Sequence, residues 1–250
     1  MTETVRSYEL ARCITMKTTL NLPPEMRLLR DSLLSRLPAD GDMPRVRRTA
    51  TLLYQCLIRR TLDQVDGLRL AWEAGNALTA AIMARALIET AAWMYDLTKR
   101  LGELLEAGDP EAIDDMLRRL STATRMKVLE PFGKSTNIVT LVDKLGRDLQ
   151  AELLALGFFV HDDEGGEVHA PSLMVAYELL SEFAHPNPFG IWLLYSHLDE
   201  AGTPEFGTNS FYQRQLLEHS EGLLTLIPLI YSWCQTFDEV YAPRLSILFH

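Results

Sequence analysis

Arg85 and Glu89 lie four residues apart in Ala77–Met94, a stretch that is otherwise almost wholly Ala, Leu, Ile, Met and Thr. Residues at that spacing share one face of a helix. In so apolar a segment neither charge is stable without a partner. A second polar set follows at Tyr177-Glu178-Leu179-Leu180-Ser181-Glu182-Phe183-Ala184-His185-Pro186-Asn187. There Ser181 and His185 present together, and Glu178 and Glu182 form another pair at the same spacing. His185 closes its helix, where the dipole favours a protonated ring. Between Arg147 and Arg214 there is no Lys or Arg, while eleven Asp/Glu and four of the six histidines lie there. Arg85 is therefore the natural counter-ion for the second set. The expectation is one cluster of Arg85, Glu89, Tyr177, Ser181, Glu182, His185 and Asn187. Arg85 would be buried against Glu89 or Glu182, and the His185 helix would pack on the Arg85 helix. Such a cluster offers an anion or polar-ligand pocket, or a Glu/His acid–base pair. A polar network that only fixes helix register has an equal claim.

The Arg-x-x-x-Glu helix followed by Tyr-x-x-Leu-Ser-Glu-x-x-His-Pro-Asn resembles a family of uncharacterised bacterial all-helical proteins, a domain of unknown function. The resemblance spans Gly75 to Gly190 and takes in Asn137-Ile-Val-Thr-Leu. It implies an all-α fold and marks Tyr177, Leu180, Ser181, Glu182, His185, Pro186 and Asn187 as the signature. It implies no activity.

Other spacings suggest other chemistry. Glu182-Phe-Ala-His185 is a Glu-x-x-His, which in ferritin-like bundles occurs twice and holds a metal pair. This chain has one. A mononuclear site from Glu89, Glu182 and His185 would sit beside Arg85, which repels a cation, so no metal and no cofactor is expected. Arg214 and His219 carry the Arg-x4-His spacing and resemble, at those positions alone, the helical HEPN ribonucleases and toxins. A solvated helix face gives the same pattern. His161-Asp-Asp-Glu-Gly-Gly-Glu-Val-His169 reads as an acidic loop. Arg45, Arg47, Arg48, Arg59 and Arg60 read as a solvated positive face. No Gly-rich phosphate loop, Gly-x-Ser-x-Gly or HExxH occurs, so hydrolase and nucleotide-cofactor classes have no motif behind them.

The elements that must position these residues read as helices. Pro23-Pro24-Glu25 opens one to about Leu37, and Asp42-Met43-Pro44 opens a second to about Gly75. Asn76 caps a third to about Ala107, Asp109-Pro110 starts a fourth, and Thr136 or Asn137 caps a fifth. Ser172–His185 is helical, and Ser210 to about Tyr241 is the last long helix, with Pro228 as a kink. Trp192–His197 and Glu205–Phe211 have room to pair as a small hairpin. The fold expected is one all-α bundle of six to eight helices over residues 23–250, with 1–22 a loosely held arm and Met16 or Met26 an alternative start.

A net charge of −10 and a pI near 5.1 suit a soluble acidic protein and are a poor match to nucleic acid. Basic residues gather only in the first 60, with eleven Lys/Arg against six Asp/Glu. Cys13, Cys56 and Cys234 fall in no ligand spacing and read as small core residues of a reducing compartment. Gly222–Phe237, the longest uncharged apolar run, falls short of a bilayer span. These readings combine into a cytoplasmic, non-membrane binding module for a small ligand or protein partner, with a homodimer open to it; the rival readings are an enzyme, a HEPN-like ribonuclease or toxin using Arg214 and His219, and a mononuclear metal-dependent protein using Glu182 and His185.

Overall fold

Proline and short polar side chains set where the helices begin. The computed structural model describes residues 19–35, 37, 43–122, 137–149, 173–185, 187–198, 203–207 and 209–249. In it α1 (Glu25–Asp31) follows Pro23-Pro24, and α2 (Arg45–Glu73) follows Pro44. The Asn76 side chain accepts from the Thr79 amide and opens α3 (Ala77–Ala107), which Gly108 ends at φ 64° in the left-handed region. Asp109 caps α4 (Pro110–Thr122) through the Ala112 amide, and Asn137 caps α5 (Ile138–Asp148) through the Val139 amide. Next come α6 (Leu173–Ala184), α7 (Pro188–Tyr195) and an antiparallel hairpin of β1 (Ser196–Leu198) and β2 (Pro204–Phe206).

The C-terminal rod is helical throughout, from Ser210 to Leu248. It contains α8 (Ser210–Gly222), a 3-10 turn (Leu223–Thr225), α9 (Leu226–Thr236), a π turn (Phe237–Tyr241) and α10 (Ala242–Leu248). Both irregular turns lie one helical turn before a proline. Pro228 has no amide to donate to Leu224, and Pro243 has none for Glu239, so the i→i−4 ladder is rewound at each place. Counting this rod once, the described residues form eight helical rods and one small hairpin, an all-α architecture.

The hairpin is shorter than the sequence suggests. Its register pairs Ser196 with Phe206, His197 with Glu205 and Leu198 with Pro204. Trp192–Tyr195 is helical and Phe211 belongs to α8. Pro188 at the first turn fixes a helical φ and starts α7 where strand was expected. Leu20 is buried in the core, so contact with the bundle begins within the stretch expected to be a loose arm.

α3 is the hub. It packs against α2, α5, α6, α8 and α9, and more lightly against α4 and the π turn. Ala80, Ala81, Ala84, Ile88, Ala91, Ala92, Met94 and Leu101 are fully buried along it. Its small side chains let neighbouring helices approach closely. By length and composition α3 could cross a membrane, a property that Gly222–Phe237 lacks, but 56% of its apolar window is buried inside the bundle. Opposite α5, Tyr54 stacks on Phe237 with centroids 4.1 Å apart, and its hydroxyl shares a 2.7 Å hydrogen bond with Thr98 Oγ1. Burial raises the Tyr54 pKa well above the ordinary phenol range.

Two ion pairs of opposite sense fix α5 on α3. Asp96, only 1% exposed, takes Lys144 Nζ at 2.9 Å and lies 3.0 Å from Arg100 Nε. Lys99 Nζ lies 2.6 Å from Asp148 Oδ2, which also accepts from the Tyr95 hydroxyl at 2.8 Å. The pairings 96–144 and 99–148 ascend together, so the two helices run in the same sense there. Asp96→Ala leaves Lys144 facing apolar surface without its partner. The loss expected is about 3 kcal/mol in denaturant unfolding, at the low end for a broken buried pair because both cations keep some solvent; a change below about 1 kcal/mol would contradict this account.

The outer pair is pH-sensitive. Hydrogen bonds from Lys99 and then Tyr95 hold the Asp148 pKa below the usual carboxylate value. A carboxylate with a depressed folded-state pKa stabilises above its unfolded pKa, and this is lost as pH falls through the folded one. Asp148→Asn should therefore be less stable than wild type at neutral pH, by less than about 1 kcal/mol for so exposed a group. The gap should close in acid, as thermal melts across pH would show.

Candidate functional site

The α6 phase is set by Leu173, Tyr177, Leu180 and Phe183, which are buried. This turns Tyr177 inward and leaves Glu178 and Glu182 exposed. The Tyr177 hydroxyl accepts from Arg85 Nη2 at 3.0 Å and donates to Glu89 Oε1 at 3.1 Å. Arg85 Nη2 also lies 3.1 Å from Glu89 Oε1, so the three groups close a triangle. The Arg85 guanidinium sits 5.1 Å from the Tyr177 ring centroid, a cation–π distance. The expected pairing of Arg85 with Glu89 and the packing of α6 on α3 are thus present.

Two parts of the expected cluster differ. Arg85 and Glu89 are not fully enclosed, with side chains 22% and 20% exposed. The inward group facing Arg85 from α6 is a phenol and not a carboxylate. An enclosed Glu182 would have to be desolvated beside a cation already paired to Glu89, whereas tyrosine enters at lower cost. Ser181 turns its hydroxyl back to the Tyr177 carbonyl at 2.7 Å. His185 is exposed, and among the described residues its ring makes no hydrogen bond or ion pair.

The rest of the motif builds a corner. The His185 amide donates to the Ser181 carbonyl at 3.1 Å, and the Asn187 amide to the His185 carbonyl at 2.7 Å. The Asn187 side chain reaches back to Glu182 Oε2 at 3.1 Å, while its own carbonyl receives Ile191 as α7 starts. Gly190 is required at this corner, because a Cβ there would collide with the Glu182 carbonyl. Ser181, Glu182, His185 and Asn187 therefore build the α6–α7 joint, whose first helix is anchored to α3 through Tyr177.

The other candidates stand apart. Arg214 Nε is 2.7 Å from Glu218 Oε1, and His219 Nδ1 is 2.7 Å from the Gln215 carbonyl. Both residues are exposed, and five residues of helix turn them about 140° from each other. Among the described residues no three His, Cys, Asp or Glu side chains converge, and Glu89, Glu182 and His185 do not meet. The acidic segment His161–His169 lies outside the described residues. Of the basic set, Arg45 pairs with Asp114 at 2.6 Å and Arg47 Nη1 donates to Ser246 Oγ at 2.7 Å, so part of that face ties α2 to α4 and α10. Arg59 and Arg60 are exposed.

Cys56, expected in the core, is exposed on α2, because Tyr54 and Ile58 take the inward positions around it. Cys234 is buried, and burial pushes its thiol up to about 12. Cys13 lies outside the described residues.

The feature missed from the sequence is α7. Pro188-Phe-Gly-Ile-Trp-Leu-Leu-Tyr195 carries no charged side chain, yet only Gly190 and Leu194 are buried. Phe189, Ile191, Trp192 and Tyr195 face solvent. Phe189 and Trp192 share a face at i,i+3, as do Trp192 and Tyr195. The signal was a helix-length run lacking polar residues directly after the polar motif.

No protein-family model, curated protein or solved structure matches this chain.

Tyr177→Phe keeps the ring and the direct Arg85–Glu89 pair and removes two hydrogen bonds. It should cost about 1–2 kcal/mol. Arg85→Ala, which also leaves Glu89 and Tyr177 unpaired, should cost more, about 2–3 kcal/mol. Equal destabilisation by the two in urea unfolding would mean that the ion pair contributes nothing beyond the phenol.

Proposed function

We propose that this chain is a non-catalytic binding module, and that its α6–α7–hairpin face receives a cationic amphipathic helix of a partner protein. The observation that carries this reading is the apolar surface on and beside α7. Phe189 is 61% exposed, Trp192 50% and Phe206 90%, joined by Ile191, Tyr195, Leu198 and Phe211. The elements that carry these side chains are joined at the backbone. The Tyr195 carbonyl accepts from Gly207 at 3.0 Å and the Leu194 carbonyl from Asn209 at 2.9 Å, so β2 and the start of α8 are stitched to the end of α7. Exposed apolar patches of this kind mark interaction sites.

Charge selects the occupant. Glu178 and Glu182 of α6 and Glu205 of β2 are exposed on these same elements, Glu182 held by Asn187 and Glu205 by His197, and the segment contains no Lys or Arg between 147 and 214. An apolar strip accompanied by carboxylates complements a helix with apolar residues on one face and Lys or Arg along its edges. The same carboxylates oppose an anionic membrane or nucleic acid. They also oppose a second copy, since a twofold contact would set like charges face to face. The Arg85–Tyr177–Glu89 triangle and the Asn187–Glu182 contact act here by position, holding α6 and its corner on α3. The nuclease reading gains no support from Arg214, which is tied to Glu218 on an exposed face.

The test is calorimetric titration with a synthetic amphipathic Leu/Lys helix and its Leu/Glu counterpart. The cationic peptide should bind and the acidic one should not. Trp192→Ala with Phe206→Ala should weaken binding at least about tenfold, as loss of aromatic anchors does. Equal binding of both peptides, or unchanged affinity in the double variant, would overturn the proposal. So would a wild-type dimer that the double variant converts to monomer, because a second copy would then be the occupant.

A further inference from the structure

We propose a small-molecule site on the opposite charge territory of the molecule: the groove over the α2–α3 contact binds a small organic acid that carries an N–H donor and a short apolar body. The groove is open, about 650 Å³, and is bordered by the Leu33-Leu34 segment after α1, by α2 and by Met83 and Ala86 of α3.

Its polar floor is a hydrogen-bond chain with one open end. Arg60 Nε donates to Thr90 Oγ1 at 3.0 Å, and the Thr90 hydroxyl donates to the Ala86 carbonyl at 2.9 Å. Gln64 Nε2 donates to that same carbonyl at 3.1 Å. The Ala86 oxygen also stands in the i→i+4 ladder of α3, so it has no lone pair left for a further donor. The amide orientation of Gln64 follows, because exchanging its oxygen and nitrogen would set two acceptors against each other. Its Oε1 is then left buried with no hydrogen-bond partner among the described residues, although the side chain is only 7% exposed. A buried acceptor without a donor requires an explanation. The contrast with Gln55, on the same helix and at the same groove, is direct. Gln55 Oε1 accepts from the Leu34 amide at 2.8 Å and its Nε2 donates to the Ser32 carbonyl at 3.2 Å, so both ends are met.

The remaining lining fits the rest of such a ligand. Arg59 and Arg60 are exposed at the wall, and among the described residues Arg59 makes no hydrogen bond or ion pair. Asp63 adds one carboxylate against these two guanidinium groups, which leaves the groove net positive and suited to a carboxylate. Leu33, Leu34 and Met83 supply the apolar wall. A ligand N–H would donate to Gln64 Oε1, which is enclosed in the free structure, once a flexible lining side chain such as Met83 gives way, while its carboxylate accepts from the guanidinium groups.

N-acetyl-leucine has all three features and is the probe. Isocaproate keeps the carboxylate and the branched body without the N–H, and inorganic phosphate keeps only charge. Titrations followed by NMR should show N-acetyl-leucine binding at least about tenfold tighter than either control. Its binding should slow alkylation of Cys56, which lies on the groove wall and is exposed. Arg59→Ala, a surface change that leaves the fold intact, should weaken N-acetyl-leucine about tenfold through loss of a charge-assisted contact. Gln64→Leu should abolish the preference for N-acetyl-leucine over isocaproate. Equal affinity for all three probes would reduce the groove to a general anion patch and overturn the proposal. So would no detectable binding of N-acetyl-leucine, or an Arg59→Ala variant that binds it as wild type does.

Discussion

The structure depends on one constraint: a helix apolar enough to be enclosed on nearly every side also carries charges that must be met, partly along the helix itself and partly from other elements. α3 holds Arg85, Glu89, Asp96, Lys99 and Arg100 along one length of an otherwise apolar rod. Tyr177 of α6 closes the first two, and Lys144 and Asp148 of α5 close Asp96 and Lys99. Apolar packing alone would let α5 and α6 slide or rotate on α3 with little penalty. A misplaced partner would instead strand a desolvated charge, which costs more than a lost methyl contact. The polar pairs therefore define register on that side.

The side of α3 toward α2 and the C-terminal rod carries hydrogen bonds, from Arg60 to Thr90, Gln64 to Ala86 and Arg244 to Leu105, but its close contacts are set mainly by shape. Tyr54 and Phe237 stack there, Cys234 Sγ lies 3.7 Å from Met94 Sδ, and Gly102 leaves room for Tyr241. A Cβ at Gly102 would stand 2.5 Å from the Tyr241 hydroxyl, so the glycine gives that ring its place against α3 and any side chain there would displace it. Close packing sets position through volume, and these contacts involve no ion pair. α3 is thus clamped by charge toward α5 and α6 and by fit toward α2 and the C-terminal rod.

Helix starts were legible because capping has a local cause. Asn76, Asp109 and Asn137 each accept a backbone amide within three residues, so the sequence alone places them. The site was half legible. That Arg85 pairs with Glu89 follows from spacing, and that α6 lies on α3 follows from charge. Which α6 residue faces inward depends on helix phase, and apolar type alone does not give it, since Leu179 is 37% exposed. The phase comes from Leu173, Tyr177 and Leu180 together. Asp96 was overlooked because its partners Lys144 and Arg100 differ in kind, one long-range and one local, and no short motif joins them. Cys56 was misjudged because a residue type common in cores says nothing of the face on which it falls. The apolar run of α7 suggested strand, since periodicity cannot separate a short buried strand from a short helix; Pro188 decided it.

The charge asymmetry of the chain acquires a physical meaning once its interior carboxylates are accounted for. Glu89 is neutralised on α3 by Arg85, and Asp96 by Lys144 and Arg100. None of these cations is drawn from the segment between 147 and 214, which has none to give. Its glutamates are accordingly not needed to balance buried cations, and Glu178, Glu182 and Glu205 stay exposed on the elements that carry the aromatic side chains. An apolar surface without such charges would associate with any other apolar surface, including its own copy. A field of one sign around it raises the cost of every anionic competitor while leaving a cationic one favoured. Arg59 and Arg60, placed instead on α2, keep cationic groups out of that field and concentrate them where Gln64 holds its unmatched acceptor. The two surfaces differ in sign because the charges of the core are met on α3 itself and by α5, so neither face has to supply a counter-ion to the core.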